Sequence, residues 1–293
     1  MQLPDHILNI PVGPALLSRW SSWLAPQVQP FFLTDEEARA FGLTGPSELE
    51  FSPELRDTFQ LWKVAVPGAV LLDERAFSAL PPTARAGLLE AQIRHRRGAV
   101  EWVEAWRDVL DTESQAGGER FVWWPSLLVG RERQILERLL SRDRLPCQRG
   151  EVPETLWAEV SPILPRAREL AGTFAAGSGP NCFGTVMAAA GVLNAEREWM
   201  QREPFEAWLS ANTVVGGPLD TPGSVLVWRS EDGLVQHAAL SLGGGFALHK
   251  PSQCWDSPRQ VLALSDVLPM FADDGTLNVL RLRAVSGWGA KLS

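Results

Sequence analysis

The chain contains no tyrosine, so no phenolic hydroxyl is available as a catalytic acid or as a donor to an oxyanion. Its three cysteines, Cys147, Cys182 and Cys254, are an odd set without CxxC or metal-ribbon spacing, which argues for reduced thiols over a disulfide framework. Basic residues are the minority, 27 Lys and Arg against 35 Asp and Glu, for a net charge of -8. Nucleic acid and anionic membranes both select a basic face, so neither is expected as a partner. No apolar run reaches membrane-spanning length, and Met1-Gln2-Leu3-Pro4-Asp5-His6 lacks the basic and apolar regions of a secretory leader. The expected compartment is the cytoplasm, with no cofactor and no metal.

What is present suffices for a large core: 293 residues, 45% of them hydrophobic, with thirteen tryptophans. In the N-terminal half, Leu16, Leu17, Trp20 and Trp23 fall at helical spacing, and Thr34-Asp35-Glu36-Glu37 reads as an N-cap with an acidic first turn. Ser52-Pro53-Glu54-Leu55 is another helix start. Val64 to Leu72, cut by Pro67-Gly68, fits two short strands or a helix end plus one strand. From Pro82 to Thr112 the apolar residues recur at helical steps with a break at Gly98, and the run Arg94-His95-Arg96-Arg97 within it is read as a solvated face. Arg131 to Leu145 is an amphipathic helix stopped by Pro146, and the turn-rich segment from Cys147 to Pro153 places a domain boundary near residue 150.

Downstream, helices come first: one or two between Pro153 and Ala175, one starting at Cys182, and one near Pro204 to Ala211. Strands follow at Ser224 to Arg229, Leu234 to Leu242, Phe246 to His249, Gln260 to Leu264 and Leu277 to Val285. The expected class is α+β, with a mostly helical N-terminal domain over 1–150 and helices packed on an antiparallel sheet over 151–293.

The chemistry concentrates at Gly177-Ser178-Gly179-Pro180-Asn181-Cys182-Phe183-Gly184. A glycine-rich loop ends at Asn181, a good N-cap, and puts Cys182 in the first helical turn, where free N–H groups and the helix dipole favour a thiolate. A small buried cysteine opening a core helix fits the same residues. His237 and His249 lie on opposite arms of one hairpin around Gly243-Gly244-Gly245. A three-residue loop from Leu242 to Gly244 sets the two opposite each other, and a loop one residue later sets Ala239 opposite His249. Both put the imidazoles on one face, whereas a two-residue loop separates them. A thiol nucleophile needs a base and the base an orienting partner, and Cys182, His237 and His249 supply the three roles.

The order Cys, His, His resembles the NlpC-type branch of the papain-like cysteine peptidases. So do Asn181-Cys182-Phe183-Gly184, where that family has Asp-Cys-Ser-Gly, and Pro222-Gly223-Ser224 before an apolar strand, where it has Pro-Gly-Asp. The likeness spans about residues 155 to 290. It implies a papain-like domain in which Cys182 attacks an amide carbonyl of a small peptide or amide substrate, His237 is the base and His249 orients it. The substitutions at Asn181, Phe183 and Ser224 bear on substrate choice, since the family reads the substrate amine near the nucleophile. Asn181, Phe183 and Trp228 are accordingly the candidate substrate contacts. The N-terminal domain would bind a protein partner or substrate.

Three alternatives stand beside this one. A thioester intermediate can be taken by an amine or alcohol, making the chain an acyltransferase. The domain can be a papain-like binding or scaffold module without turnover. Cys182, His237, His249 and Cys254 can be four zinc ligands, although structural zinc sites usually contain close ligand pairs. Gln253 is a rival partner for His237, and Trp255 a further candidate for the cleft wall or the core.

Overall fold

The computed structural model describes residues 5–44, 50–66, 68–110 and 118–283. Met1–Pro4, Pro67 of the Pro-Gly turn, the end of the helical pattern at Asp111-Thr112 and the end of the expected strand at 284–285 lie outside them. The chain divides into two units, residues 13–139 and residues 1–12 with 140–293. The boundary expected near residue 150 thus falls about ten residues earlier, and the first twelve residues join the C-terminal unit. Hydrogen bonds give the reason: Cys147 N–H donates to the Leu8 carbonyl and Gln148 N–H to the Val261 carbonyl, each at 2.8 Å. Ile10 also enters the hydrophobic cluster of that unit.

The 13–139 unit carries helices at Pro14–Leu24, Asp35–Ala40, Pro53–Thr58, Glu74–Ala79 and Pro82–Arg94. Two antiparallel strand pairs accompany them, Val28–Phe32 with Ala69–Asp73 and Val100–Trp102 with Arg120–Val122. Thr34 and Glu37 form the reciprocal capping box that their spacing predicts. The helical pattern after Pro82 ends at Arg94, and Val100 and Trp102 belong to a strand. Gly98 explains the switch: its N–H donates to the Phe59 carbonyl at 2.7 Å, and a side chain there would strike the Thr58 carbonyl. The basic run divides. Arg94 and His95 bind Glu37 at 2.7 Å, whereas Arg97 is buried over the Phe59 ring, 4.3 Å from its centroid, and donates to Gln29 Oε1 at 2.8 Å.

The other unit is built on a seven-stranded sheet, in the order Thr173–Phe174, Pro258–Ala263, Phe246–His249, Val235–Gly243, Ser224–Arg229, Thr276–Leu282 and Thr213–Val215. Every pairing is antiparallel, and the unit is α+β. Strand alternation sends Val225, Val227, Ala238, Leu240, Leu248 and Val261 into one apolar cluster, shared with the helix Cys182–Ala189. Leu226, Trp228, Ala239, Ala247 and Leu262 form another, with Leu264, Val267 and Phe271 of the segment that follows the last hairpin. The sheet is thereby covered on both faces. The helix Leu264–Met270 that covers the second face and the edge strands Thr173–Phe174 and Thr213–Val215 carry no periodic signal of their own. Among the described residues, no helix is long and apolar enough to cross a membrane.

Candidate active site

Cys182 is the first residue of its helix. Asn181 caps the helix: its side-chain oxygen accepts from Gly184 N–H at 3.1 Å, and its amide nitrogen donates to the Met200 carbonyl at 2.8 Å. All eight residues of the helix are buried. Gly184 lies against the turn Ala195–Arg197, where a β-carbon would collide with the Ala195 carbonyl. A glycine two residues after the cysteine therefore lets the helix seat closely against that turn while it packs on one face of the sheet.

The N–H of Ala238, on the strand beneath the helix, lies near enough to the sulfur to favour the thiolate. Cys182 packs on the face of the sheet lined by Val225, Val227, Ala238 and Leu240, whereas His237 and His249 alternate with Ala238 and Leu248 and turn to the other face, against Phe271. Burial pushes the thiol up to about 11, against the opposing pull of the N–H groups of Ala238 and Phe183 and of the nearby Lys250 ammonium. The resting group is a neutral thiol, 7% exposed.

The hairpin pairs Leu240 with Leu248 and Ser241 with Ala247, with a register shift before the Gly243–Phe246 pair. One further step of that register sets Ala239, not His237, across from His249. Gly243, Gly244 and Gly245 have φ of 79°, 61° and 81°, the left-handed region that glycine tolerates best, and this allows the irregular loop that selects the register. The two imidazoles share a face, with centroids 6.4 Å apart and planes at 77°. Phe271 stacks flat on His237 at 3.5 Å, and Trp228 lies 5.5 Å away. Burial drives His237 well below the usual histidine value, with His249 pushing in the same direction. Burial also lowers His249 to about 3. Both rings are neutral at pH 7. Across the next pairing His249 faces Gln260, whose Nε2 is 3.2 Å from His249 Nε2. Among the described residues, no hydrogen bond joins the Cys182 sulfur to either imidazole.

The expected substrate contacts are instead engaged inside the fold. Asn181 is committed to the cap and to Met200; Phe183 stacks on Phe205 at 4.5 Å; Trp228 is fully buried against Phe271 at 5.3 Å. Gln253 contributes its carbonyl, accepting from Gly179 N–H at 2.9 Å, and Trp255 N–H donates to Ser178 Oγ at 3.2 Å, so the 253–255 loop braces the glycine-rich loop. Among the described residues, no three His, Cys, Asp or Glu side chains group to hold a metal ion. The four-ligand zinc arrangement is not assembled.

Three neighbours of the site escaped the sequence reading. Lys250 is completely buried, donates to the carbonyls of Ser252 and Cys254, and is lowered to about 7 by burial and by Arg259, with Asp256, Cys254 and Cys182 opposing. Its signal was parity: two residues after Leu248, it continues an alternation that faces inward. Gln260 was legible in the same way, as a polar residue two places before buried Leu262. Phe271 carried no local signal, because its stacking on His237 joins residues far apart in sequence. Comparison with protein-family models, with curated protein sequences and with solved structures returned no match.

Proposed function

We propose that the chain is a cysteine-dependent amide hydrolase, a peptidase or amidase, whose C-terminal unit is papain-like in the NlpC manner. Cys182 is the nucleophile, His237 the general base and His249 the group that orients it. The observation that carries this reading is Cys182 as the first residue of a helix capped by Asn181. Ala238 turns toward the Cys182 helix and its neighbour His237 turns toward Trp228 and Phe271 on the other face of the sheet, so the reading requires the thiol and the imidazole to meet around that strand. A neutral imidazole and a neutral thiol are the starting states for proton transfer from sulfur to the ring as the sulfur attacks a carbonyl. The backbone N–H groups at the head of the Cys182 helix are the natural donors to the resulting oxyanion. The substrate is a small peptide or amide, and the 13–139 unit is the candidate partner-binding part.

The test is alkylation of Cys182 by iodoacetamide at pH 7, followed on the Cys182 peptide by mass spectrometry. His237→Ala is expected to slow it at least tenfold. An unchanged rate sinks the proposal. The near-complete burial of Cys182 favours a second reading, a papain-like binding module without turnover. Under that reading Cys182→Ala leaves the cellular role intact, whereas the hydrolase loses it.

A further inference from the structure

The face of the sheet that carries the thiol also carries a buried lysine. Two further steps of the hairpin register, beyond the Leu240–Leu248 pair, set Lys250 across from Ala238, the residue whose N–H lies near the Cys182 sulfur. One step beyond the pairing of His249 with Gln260, Arg259 lies across from Lys250 on its other side. Ala238, Lys250 and Arg259 therefore form one row across three strands. Alternation turns that row, with Leu248 and Val261, toward the helix that begins at Cys182, and leaves the imidazoles on the opposite face.

Lys250 Nζ donates to the Ser252 carbonyl at 2.5 Å and to the Cys254 carbonyl at 3.1 Å. The same loop binds the segment that leads into Cys182: the Gln253 carbonyl accepts from Gly179 N–H at 2.9 Å, and Trp255 N–H donates to Ser178 Oγ at 3.2 Å. The surroundings disfavour an ammonium. Arg259 is a fixed cation beside it, and Asp256, the carboxylate that pulls the other way, is already bonded to Arg144 at 2.6 Å. The thiols of Cys254 and Cys182 oppose only when ionised, so burial and Arg259 bring the amine down to about 7. An ammonium has three N–H groups. A neutral amine has two, which the two carbonyls satisfy, and a lone pair left to accept a proton.

We propose that Lys250 is the proton acceptor for Cys182, on the thiol's own face of the sheet. The inference rests on Cys182 as the nucleophile and needs no contact with His237. As the sulfur attacks an amide carbonyl, the S–H bond breaks and its proton adds to the Nζ lone pair. The sulfur electron pair forms the bond to carbon, and the carbonyl π pair moves to oxygen. Collapse of that oxyanion expels the amine leaving group, which takes the proton back from the Lys250 ammonium. An amine suits the position because a neutral amine beside a neutral thiol adds no charge to a buried row that already holds Arg259.

The test is the iodoacetamide rate at the Cys182 peptide, followed from about pH 5 to about pH 9. In the native protein the rate is expected to rise as the amine loses its proton near pH 7 and then to level off, because above that point the thiol–amine pair holds one transferable proton whatever the pH. Lys250→Met is expected to slow the reaction at least tenfold at about pH 8 and to replace the plateau by a steady climb as the thiol itself ionises. Unfolding would expose the thiol and speed the reaction, so loss of fold cannot imitate the expected slowing. Lys250→Arg keeps a cation but cannot accept a proton, and is expected to remove the plateau as well. A native rate that climbs steadily to about pH 9, or a plateau that survives in Lys250→Met or Lys250→Arg, overturns the inference. The two levels fail separately: slowing by His237→Ala with no effect of Lys250→Met removes Lys250 and leaves the hydrolase reading, whereas slowing by Lys250→Met alone supports Lys250 and removes His237 as the base.

Discussion

Two buried glutamines, one in each unit, do opposite things. Gln92, in the 13–139 unit, uses both ends of its amide: Oε1 accepts from Phe32 N–H at 2.7 Å, and Nε2 donates to the Phe32 carbonyl at 3.0 Å and the Leu88 carbonyl at 3.2 Å. It ties a helix to a strand. Gln260, equally buried, meets one imidazole nitrogen and leaves its oxygen without a partner. The neighbouring polar groups differ less, since Arg97 Nε and Trp123 Nε1 in the 13–139 unit also have no partner among the described residues. Gln29 is held between Arg97 and the Trp123 carbonyl, whereas His237 and His249 each keep one ring nitrogen without a hydrogen-bond partner. A glutamine satisfied at both ends of its amide stabilises a core, and one with an unpaired buried oxygen contributes less.

Gln92→Leu breaks the comparison most severely. It strands both main-chain groups of Phe32 and is expected to cost about 3 kcal/mol in urea unfolding, with the Cys182 alkylation rate unchanged. Acid acts on the other side. A histidine whose folded value lies below its unfolded one binds its proton more readily when unfolded, so stability present above pH 6.5 is lost as the pH falls. For His249, lowered from 6.5 to about 3, this amounts to about 2 kcal/mol at pH 5, and His237 adds loss of the same sign. Glu37 behaves differently: burial opposes its ionisation, but the Thr34 N–H, Arg94 and His95 hold it near 2, so its contribution is lost only as the pH falls from 4.5 toward 2. Hydrogen exchange at pH 5 is therefore expected to open the 140–283 region first. Earlier opening of the 13–139 unit would undo the contrast.

Asn181→Ala is expected to cost about 1 kcal/mol through the lost cap, read by the same unfolding experiment, and to slow Cys182 alkylation by loosening the head of its helix. Gln260→Leu closes the series, at less than about 1 kcal/mol. A cost equal to that of Gln92→Leu would mean that both glutamines are structural.

Much of the C-terminal architecture was readable in advance because its signals are local. The strands Ser224–Arg229 and Phe246–His249 match their periodic runs, and Asn181 before a small-residue run marks the start of the Cys182 helix. Near Gly98 the same method failed, since the apolar steps at Val100 and Trp102 suit a helix and a strand equally until a close approach to Phe59 decides. The domain boundary was misplaced for a similar reason: the hydrogen bonds of Cys147 and Gln148 to Leu8 and Val261 reach across more than a hundred residues of sequence.

By itself, the sequence determined where the Cys182 helix starts and how residues alternate between the faces of each strand, because helix caps, alternation and glycine turns act over a few residues. It placed both histidines on one face, subject to the loop length. Only the tertiary structure decided that the hairpin slips to set Ala239 opposite His249, that Phe271 clamps His237, and that Lys250 and Gln260 flank the site. Those outcomes depend on packing between segments distant in the chain, where shape and burial, rather than local propensity, choose the partner.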